Sequence, residues 1–249
     1  MIIKVLMQWH DSAIVINVSD YDDKSFIVSC LTEQYGLRSG IVTKKKHSNT
    51  HIMLGNKVNI QWTGRLESHL GRLNIDQYTS VYPHIHHNYI KLSALLSICA
   101  LVSITLVEKE PQENLYIKLF RFLDELSTSE QTWMVTLVKI ELQLLFVAGF
   151  GLDLKKCTVT ETTQDLHYIS PKTGKAVCRE VGLPYHDKLF LMPRMFQKYH
   201  DQITYKEIFH SFNVLTFFLQ KNILPLKNTT MPSYRNAFLA QLDQQLLET

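Results

Sequence analysis

Six basic side chains, Arg38, Lys44, Lys45, Lys46, Lys57 and Arg65, fall between Gln34 and Leu66 with no Asp or Glu among them. Lys and Arg clustered without acids release condensed counterions on meeting phosphate, the main source of sequence-independent nucleic-acid affinity. Tyr35, His47 and Trp62 lie in the same stretch, and aromatic rings so placed can stack on unpaired bases. The alternative is a solvated loop at Lys44-Lys45-Lys46 and a core position for Trp62. For Trp62 the core is favoured, because it alternates in phase with Val58 and Ile60. Lys172, Lys175 and Arg179 form a second, weaker basic stretch, with no acid between Leu166 and Arg179. The formal net charge is only +3, so a nucleic-acid role has to rest on such local concentrations.

Metal chemistry is poorly served. A structural zinc site takes four Cys or His ligands, usually in closely spaced pairs. Cys157 and Cys178 each lack such a partner, since Thr160 and Val181 stand where a second thiol would be expected. His167 and His186 could substitute only with unusual spacing, and His84, His86 and His87 have no nearby Cys or carboxylate. No metal or other cofactor is expected. Catalysis finds no footing either: there is no Gly-rich phosphate loop, no nucleophile elbow and no His-Glu-x-x-His pattern. Asp11 and the pair Asp22-Asp23 read as turn formers, and Asp124-Glu125 as a solvated helix face. A binder rather than an enzyme is expected.

The elements that would carry these residues change character along the chain. Up to about residue 80, short β-branched and aromatic runs (Ala13 to Val18, Ser25 to Leu31, Ile41 to Thr43, Lys57 to Trp62) alternate with turn-like segments. Ser19 to Asp23 reads as one turn. Leu66 to Leu70, between Gly64 and Gly71, reads as a further strand. Five or so short strands at this spacing predict a small barrel or sandwich, of which an OB-type barrel is one member.

Beyond Pro83 the pattern is helical. Residues 88 to 107 are so apolar that a helix there needs other helices around it. Within them Leu92 to Val107 carries no charge, but is shorter than the roughly 20 residues needed to cross a bilayer; a buried core helix is expected. Further helices are predicted after Pro111, from a capping box at Ser127-Thr128-Ser129-Glu130, from Thr204-Tyr205-Lys206-Glu207, and from about Ser233. Residues 151 to 185 are polar and turn-rich, as suits a small insertion in a helical domain. Four scattered cysteines and no export signal point to reduced thiols in a cytoplasm.

Read in order, several segments resemble the RecO family, especially its alphaproteobacterial branch. Trp9 to Ile16, Ser25 to Val28 and Leu31 to Leu37 look like the family's opening strands and the turn after them. Gln61-Trp62-Thr63-Gly64-Arg65 resembles its W-x-G-R-like strand, and Glu108 to Pro111 its helix break. The most diagnostic run is Glu141 to Leu145 through Gly149, Gly151, Leu152-Asp153-Leu154 and Cys157. Tyr168 to Val177 follows it and looks like the family's hairpin.

The resemblance implies an α+β protein: an N-terminal OB-fold β-barrel over residues 1–80, then an all-α helical domain over residues 81–249. Residues 151–185 would form an inserted zinc-finger-like hairpin. Many relatives carry four cysteines there; only Cys157 and Cys178 remain, so the hairpin is expected to hold its shape without zinc, by packing around Tyr168 and Pro171. The resemblance also implies binding of single- and double-stranded DNA, annealing of complementary strands, and association with RecR and the single-strand binding protein to help load RecA. The DNA-binding residues would be the six of the first stretch together with Lys172, Lys175 and Arg179. The rival expectation is a protein-interaction adaptor that does not touch DNA.

Overall fold

The computed structural model describes residues 6–44, 52–128, 132–197 and 203–248, the side chains of Gln77 and of residues 246–248 excepted. They form two compact units, one ending at Trp133 and the other beginning at Met134.

The first unit opens with five strands: β1 (Met7–Asp22), β2 (Ser25–Thr32), β3 (Leu37–Thr43), β4 (Lys57–Gly64) and β5 (Arg72–Thr79). They close into a barrel of order β1-β2-β3-β5-β4. The long β1 makes closure possible by bonding along both edges, Ala13 opposite Thr32 on β2 and also opposite Val58 on β4. The remaining seam is thin. β3 and β5 run parallel and meet through one pair, Ile41 with Arg72, reinforced by the Ile41 amide donating to the Gly71 carbonyl at 3.1 Å.

Strand alternation sets the core: Ala13 and Val15, Val28 and Cys30, Val58, Ile60 and Trp62, and Leu73 all point inward. Ile14 and Ile16 lie on the opposite face of β1 and are equally buried, because helix α2 packs there. A two-sided strand has to be apolar on both faces, which accounts for the unbroken Ala13 to Ile16 run.

One expected turn and one expected strand differ in the structure. Ser19 to Asp22 is not a turn: β1 continues through it, Asp20 facing Phe26 and Asp22 facing Ser25. Reversal is confined to Asp23-Lys24, where the Asp22 carboxylate accepts from the Lys24 amide at 2.8 Å. Leu66 to Leu70 is not a strand. The Trp62 indole N–H donates to the Leu70 carbonyl at 3.1 Å, and Gly71 follows at φ +68°, its Cα against the indole. The chain turns there and extends only from Arg72.

Four helices follow: α1 (Tyr82–Ile85), α2 (Tyr89–Thr105), α3 (Glu113–Leu126) and α4 (Thr132–Val147), the last lying almost wholly in the second unit. α2 is buried on nearly every side, as its composition requires. No helix among the described residues is long and apolar enough to cross a membrane. Lys91 on α2 is buried, and its ammonium donates to the carbonyls of Leu126 (2.8 Å) and Thr128, which the end of α3 leaves without helical partners. Burial pulls its pKa down. Of the capping box expected at residues 127–130, Ser129 and Glu130 lie outside the described residues. Ser127 closes α3 instead, its amide donating to the Asp124 carbonyl.

After α4 comes a small sheet of order β7-β6-β8, from β6 (Leu166–Ile169), β7 (Ala176–Cys178) and β8 (Phe190–Leu191), with the short α5 (Arg179–Gly182) after β7. Tyr168, Cys157, Val177 and Cys178 form its core, so Tyr168 packs as expected. Pro171 sits in the turn between β6 and β7, which Lys221 anchors by donating to the Pro171 (2.6 Å) and Lys172 (2.8 Å) carbonyls. Helices α6 (Tyr205–Phe218) and α7 (Ser233–Glu248) complete the unit. The capping box at Thr204 is present in full, the Thr204 hydroxyl accepting from the Glu207 amide while the Glu207 carboxylate accepts from the Thr204 amide.

Candidate nucleic-acid interface

Because β3 and β5 touch through a single pair, the barrel wall is open beside that pair. A groove of about 580 Å³ runs along the opening. Its floor is the edge of the barrel core, Val42 and Leu73 with Phe26 and Ile75, and its walls carry the outward members of β4 and β5, Gln61, Thr63 and Asn74. Among the described residues two cations line it, Lys44 at the end of β3 and Arg72 at the start of β5, and no carboxylate does. An apolar floor beneath amides, hydroxyls and positive charge suits a polyanion whose bases are free of their duplex partners.

The candidate basic residues are not equivalent. Arg65 is exposed just after β4 and Arg72 is exposed at the start of β5, so the two flank the β4–β5 connection. Neither has an ion-pair partner among the described residues. Lys44 lines the groove, but its ammonium is bound by the Asp20 carboxylate at 2.8 Å and the Asp22 carbonyl at 3.2 Å. Lys57 is paired with Asp124 at 2.5 Å and sits 3.5 Å above the Phe120 ring, with its side chain only 12% exposed. Lys45 and Lys46 lie outside the described residues, as does His47.

Arg38, the first of the expected phosphate contacts, takes an internal place. It is 5% exposed, donates to the Tyr35 carbonyl at 2.9 Å, and pairs with Glu67 at 2.7 Å. Its hydrogen bond and charge hold the Glu67 carboxyl below the usual carboxylate range. Its guanidinium also lies over the rings of Trp9 and Tyr35, which stack on each other at 4.3 Å. Trp62 is core, stacked behind Trp9 at 5.7 Å.

Arg72 lies beyond the acid-free stretch from Gln34 to Leu66. Its signal was present: in Arg72-Leu73-Asn74-Ile75-Asp76 polar and apolar residues alternate, and an arginine in the outward phase lies on the barrel surface. Asp11 is a second departure. It is buried in β1 rather than turn-forming, and its carboxylate accepts from the amides of Ser12 (2.9 Å) and Gln34 (2.8 Å), fixing the β2–β3 connection.

In the second unit Lys172 and Lys175 are exposed on the β6–β7 turn and its flank. Arg179 is exposed but occupied, 3.3 Å from the Asp165 carboxylate and 3.3 Å from the His167 ring. A larger groove of about 1560 Å³ is walled by Leu142, Phe146, Leu152, Leu166, Leu191 and Phe209. Lys155 and Lys206 are exposed on it, whereas its Arg194 is paired with Glu207 at 3.0 Å.

Glu141 of α4 and Arg235 of α7 form a buried two-point ion pair at 2.5 and 2.8 Å. Arg235 also donates to the Phe212 carbonyl and the Thr216 hydroxyl of α6, so one guanidinium joins three helices. Burial pushes the Glu141 carboxyl up to about 7, against the pull of Arg235.

The residues present do not fit a four-ligand zinc site. The Thr160 hydroxyl lies 3.6 Å from the Cys178 sulfur, and among the described residues no three His, Cys, Asp or Glu side chains converge on a point that could hold a metal. The Cys178 amide instead donates to the Cys157 sulfur at 3.3 Å. Burial pushes the Cys157 thiol up, but the Thr160 hydroxyl and the amides of Thr160, Cys178 and Val159 more than offset it and hold the thiol at about 6.

Comparison with known proteins gives the family. Residues 7–82 match the family described as Recombination protein O N terminal, and residues 86–223 match Recombination protein O C terminal. The chain belongs to the RecO family. Among its relatives is a DNA repair protein RecO of Ehrlichia chaffeensis, 33% identical over 241 residues, which are 95% of this chain and 99% of the relative. One of Wolbachia pipientis wMel is 33% identical over 239 residues, 94% of this chain and 100% of the relative. A third, from Rickettsia canadensis, is 32% identical over 234 residues, 94% and 95% of the two chains. RecO membership spans both compact units, and the first family segment ends close to the last barrel strand at Thr79.

Proposed function

We propose that this chain is a recombination mediator in DNA repair, a binder of single- and double-stranded DNA that anneals complementary strands. With RecR it would help load RecA onto DNA coated by the single-strand binding protein. The observation that carries the reading is the seam groove, where an apolar floor lies beside the exposed Arg72 in a chain of the RecO family. Barrel order β1-β2-β3-β5-β4, with a first strand bonded on both edges, supports an OB-type barrel over residues 1–80. The helical domain would then be residues 81–249, and residues 151–185 its zinc-finger-like hairpin without the metal. Function as a binder and not an enzyme, in the cytoplasm, belongs to the same reading.

Phosphates would be met by Arg65, Arg72 and Lys44 on the barrel, and by Lys172 and Lys175 on the hairpin. Annealing follows from neutralisation, since two strands that have given up counterions to a basic surface repel each other less. Protein partners would find a separate surface in the larger groove, whose apolar walls and two exposed lysines suit an acidic segment with apolar side chains. The test is strand pairing followed by fluorescence with two complementary oligonucleotides. The chain is expected to accelerate pairing several-fold at low salt, and Arg65→Ala/Arg72→Ala to lose most of that acceleration. A chain that leaves the pairing rate unchanged, or a double variant as active as the parent, would remove the annealing role.

A further inference from the structure

Of the cations lining the seam groove, Lys44 is the one already held by an acid. Its ammonium is 2.8 Å from the Asp20 carboxylate, 3.2 Å from the Asp22 carbonyl, and 4.3 Å above the centre of the Phe26 ring. Phe26 and Lys44 both line the groove, so the ammonium covers the aromatic face that an incoming base would meet. The tether is built into the β1–β2 hairpin. Asp20 stands opposite Phe26 in the β1–β2 register, and the Lys44 amide donates to the Lys24 carbonyl at 2.7 Å, which fastens the end of β3 to the hairpin turn.

We propose that Asp20 is an internal stand-in for phosphate: it holds Lys44 over Phe26, and a strand entering the groove competes with Asp20 for the ammonium. The proposal rests on the nucleic-acid reading above and concerns how that site is held when empty of DNA. A bound phosphate takes the ammonium from Asp20, and the lysine's departure uncovers Phe26 for stacking. Asp20 is 80% exposed, so the tether is loose and screened by salt. It therefore moderates affinity without abolishing it.

The experiment compares binding of a fluorescent oligothymidylate at low salt by the full chain, Asp20→Asn, Asp23→Asn, and each of these combined with Lys44→Gln. Asp23 lies on the same hairpin, and the Lys44 ammonium is bound by Asp20 and the Asp22 carbonyl rather than by Asp23, so its replacement measures the general effect of removing one negative charge. Asp20→Asn is expected to tighten binding roughly two- to fivefold beyond Asp23→Asn, the range an exposed ion pair allows. In the Lys44→Gln background that excess should vanish. Equal gains from the two aspartate variants, or a gain that survives Lys44→Gln, would overturn the tether while leaving the DNA reading intact. Failure of every protein to bind would overturn the DNA reading and the tether with it.

Discussion

Arg235→Met is expected to lower the unfolding free energy by about 3–5 kcal/mol, the cost of leaving one member of a buried ion pair uncompensated. The pair is closed to solvent, with Arg235 0% and Glu141 1% exposed, so water cannot take over the lost contacts. Three helices share the guanidinium, through Glu141 on α4, Phe212 and Thr216 on α6, and Arg235 itself on α7. Chemical denaturation followed by far-ultraviolet circular dichroism would measure the loss. Glu141→Leu/Arg235→Met should recover much of it, since an apolar pair of similar volume carries no desolvation penalty.

The deficit should also depend on pH. The folded Glu141 carboxyl lies above its ordinary value, so the folded state binds a proton that the unfolded state has lost. Stability linked to that proton is complete below the ordinary carboxylate range and falls as pH rises through the folded value. Without Arg235 the folded value moves higher still. The variant is therefore expected to lie closer to the parent at about pH 6 than at about pH 8. A deficit independent of pH would mean that Glu141 stays ionised in the variant.

Gly36→Ala is the second large effect, on the order of 3 kcal/mol, in the first unit. Gly36 lies at φ +72° in the β2–β3 connection, and a Cβ there would come within 2.2 Å of the Glu110 carbonyl oxygen. The neighbour is backbone and cannot rotate away. Beside it, the Lys109 amide donates to the Leu37 carbonyl at 3.0 Å, and the Ser39 hydroxyl bonds the Glu108 carboxylate. An added methyl would separate the start of β3 from the α2–α3 connection. Trp9 and Trp62 provide the fluorescence readout for the barrel, and a midpoint unchanged from the parent would show that this contact is dispensable.

Where the sequence speaks through local period, it was legible. Lys57 to Trp62 alternates and is a strand with Trp62 inside; within residues 88 to 107, which have no polar stripe, Tyr89–Thr105 forms a helix buried on nearly every side. Turn chemistry was less reliable, because Asp and Gly favour turns without requiring them. Asp20 and Asp22 stay in a strand that bulges between them, and the glycine at 71 precedes a strand, β5, rather than following one.

Charge was the least legible property. Arg38, Lys44 and Lys57 stand in a stretch free of acids, yet each meets a carboxylate from elsewhere in the chain: Glu67, Asp20 and Asp124. Sequence neighbourhood describes local charge, whereas folding decides which acid arrives. Glu141 and Arg235 show the same limit, being 94 residues apart and in contact only through the packing of α4 and α7.

The most direct test of a DNA-binding barrel is the salt dependence of single-stranded oligonucleotide binding, for the parent chain and for Arg65→Ala/Arg72→Ala. Binding of the parent should weaken steeply with salt. The double variant should bind less tightly, with a plot of log affinity against log salt shallower by about 1.4, which corresponds to two phosphate contacts on a single strand. Parallel plots for the two proteins would show that these arginines meet no phosphate, and an absence of binding at low salt would leave an adaptor that does not touch DNA.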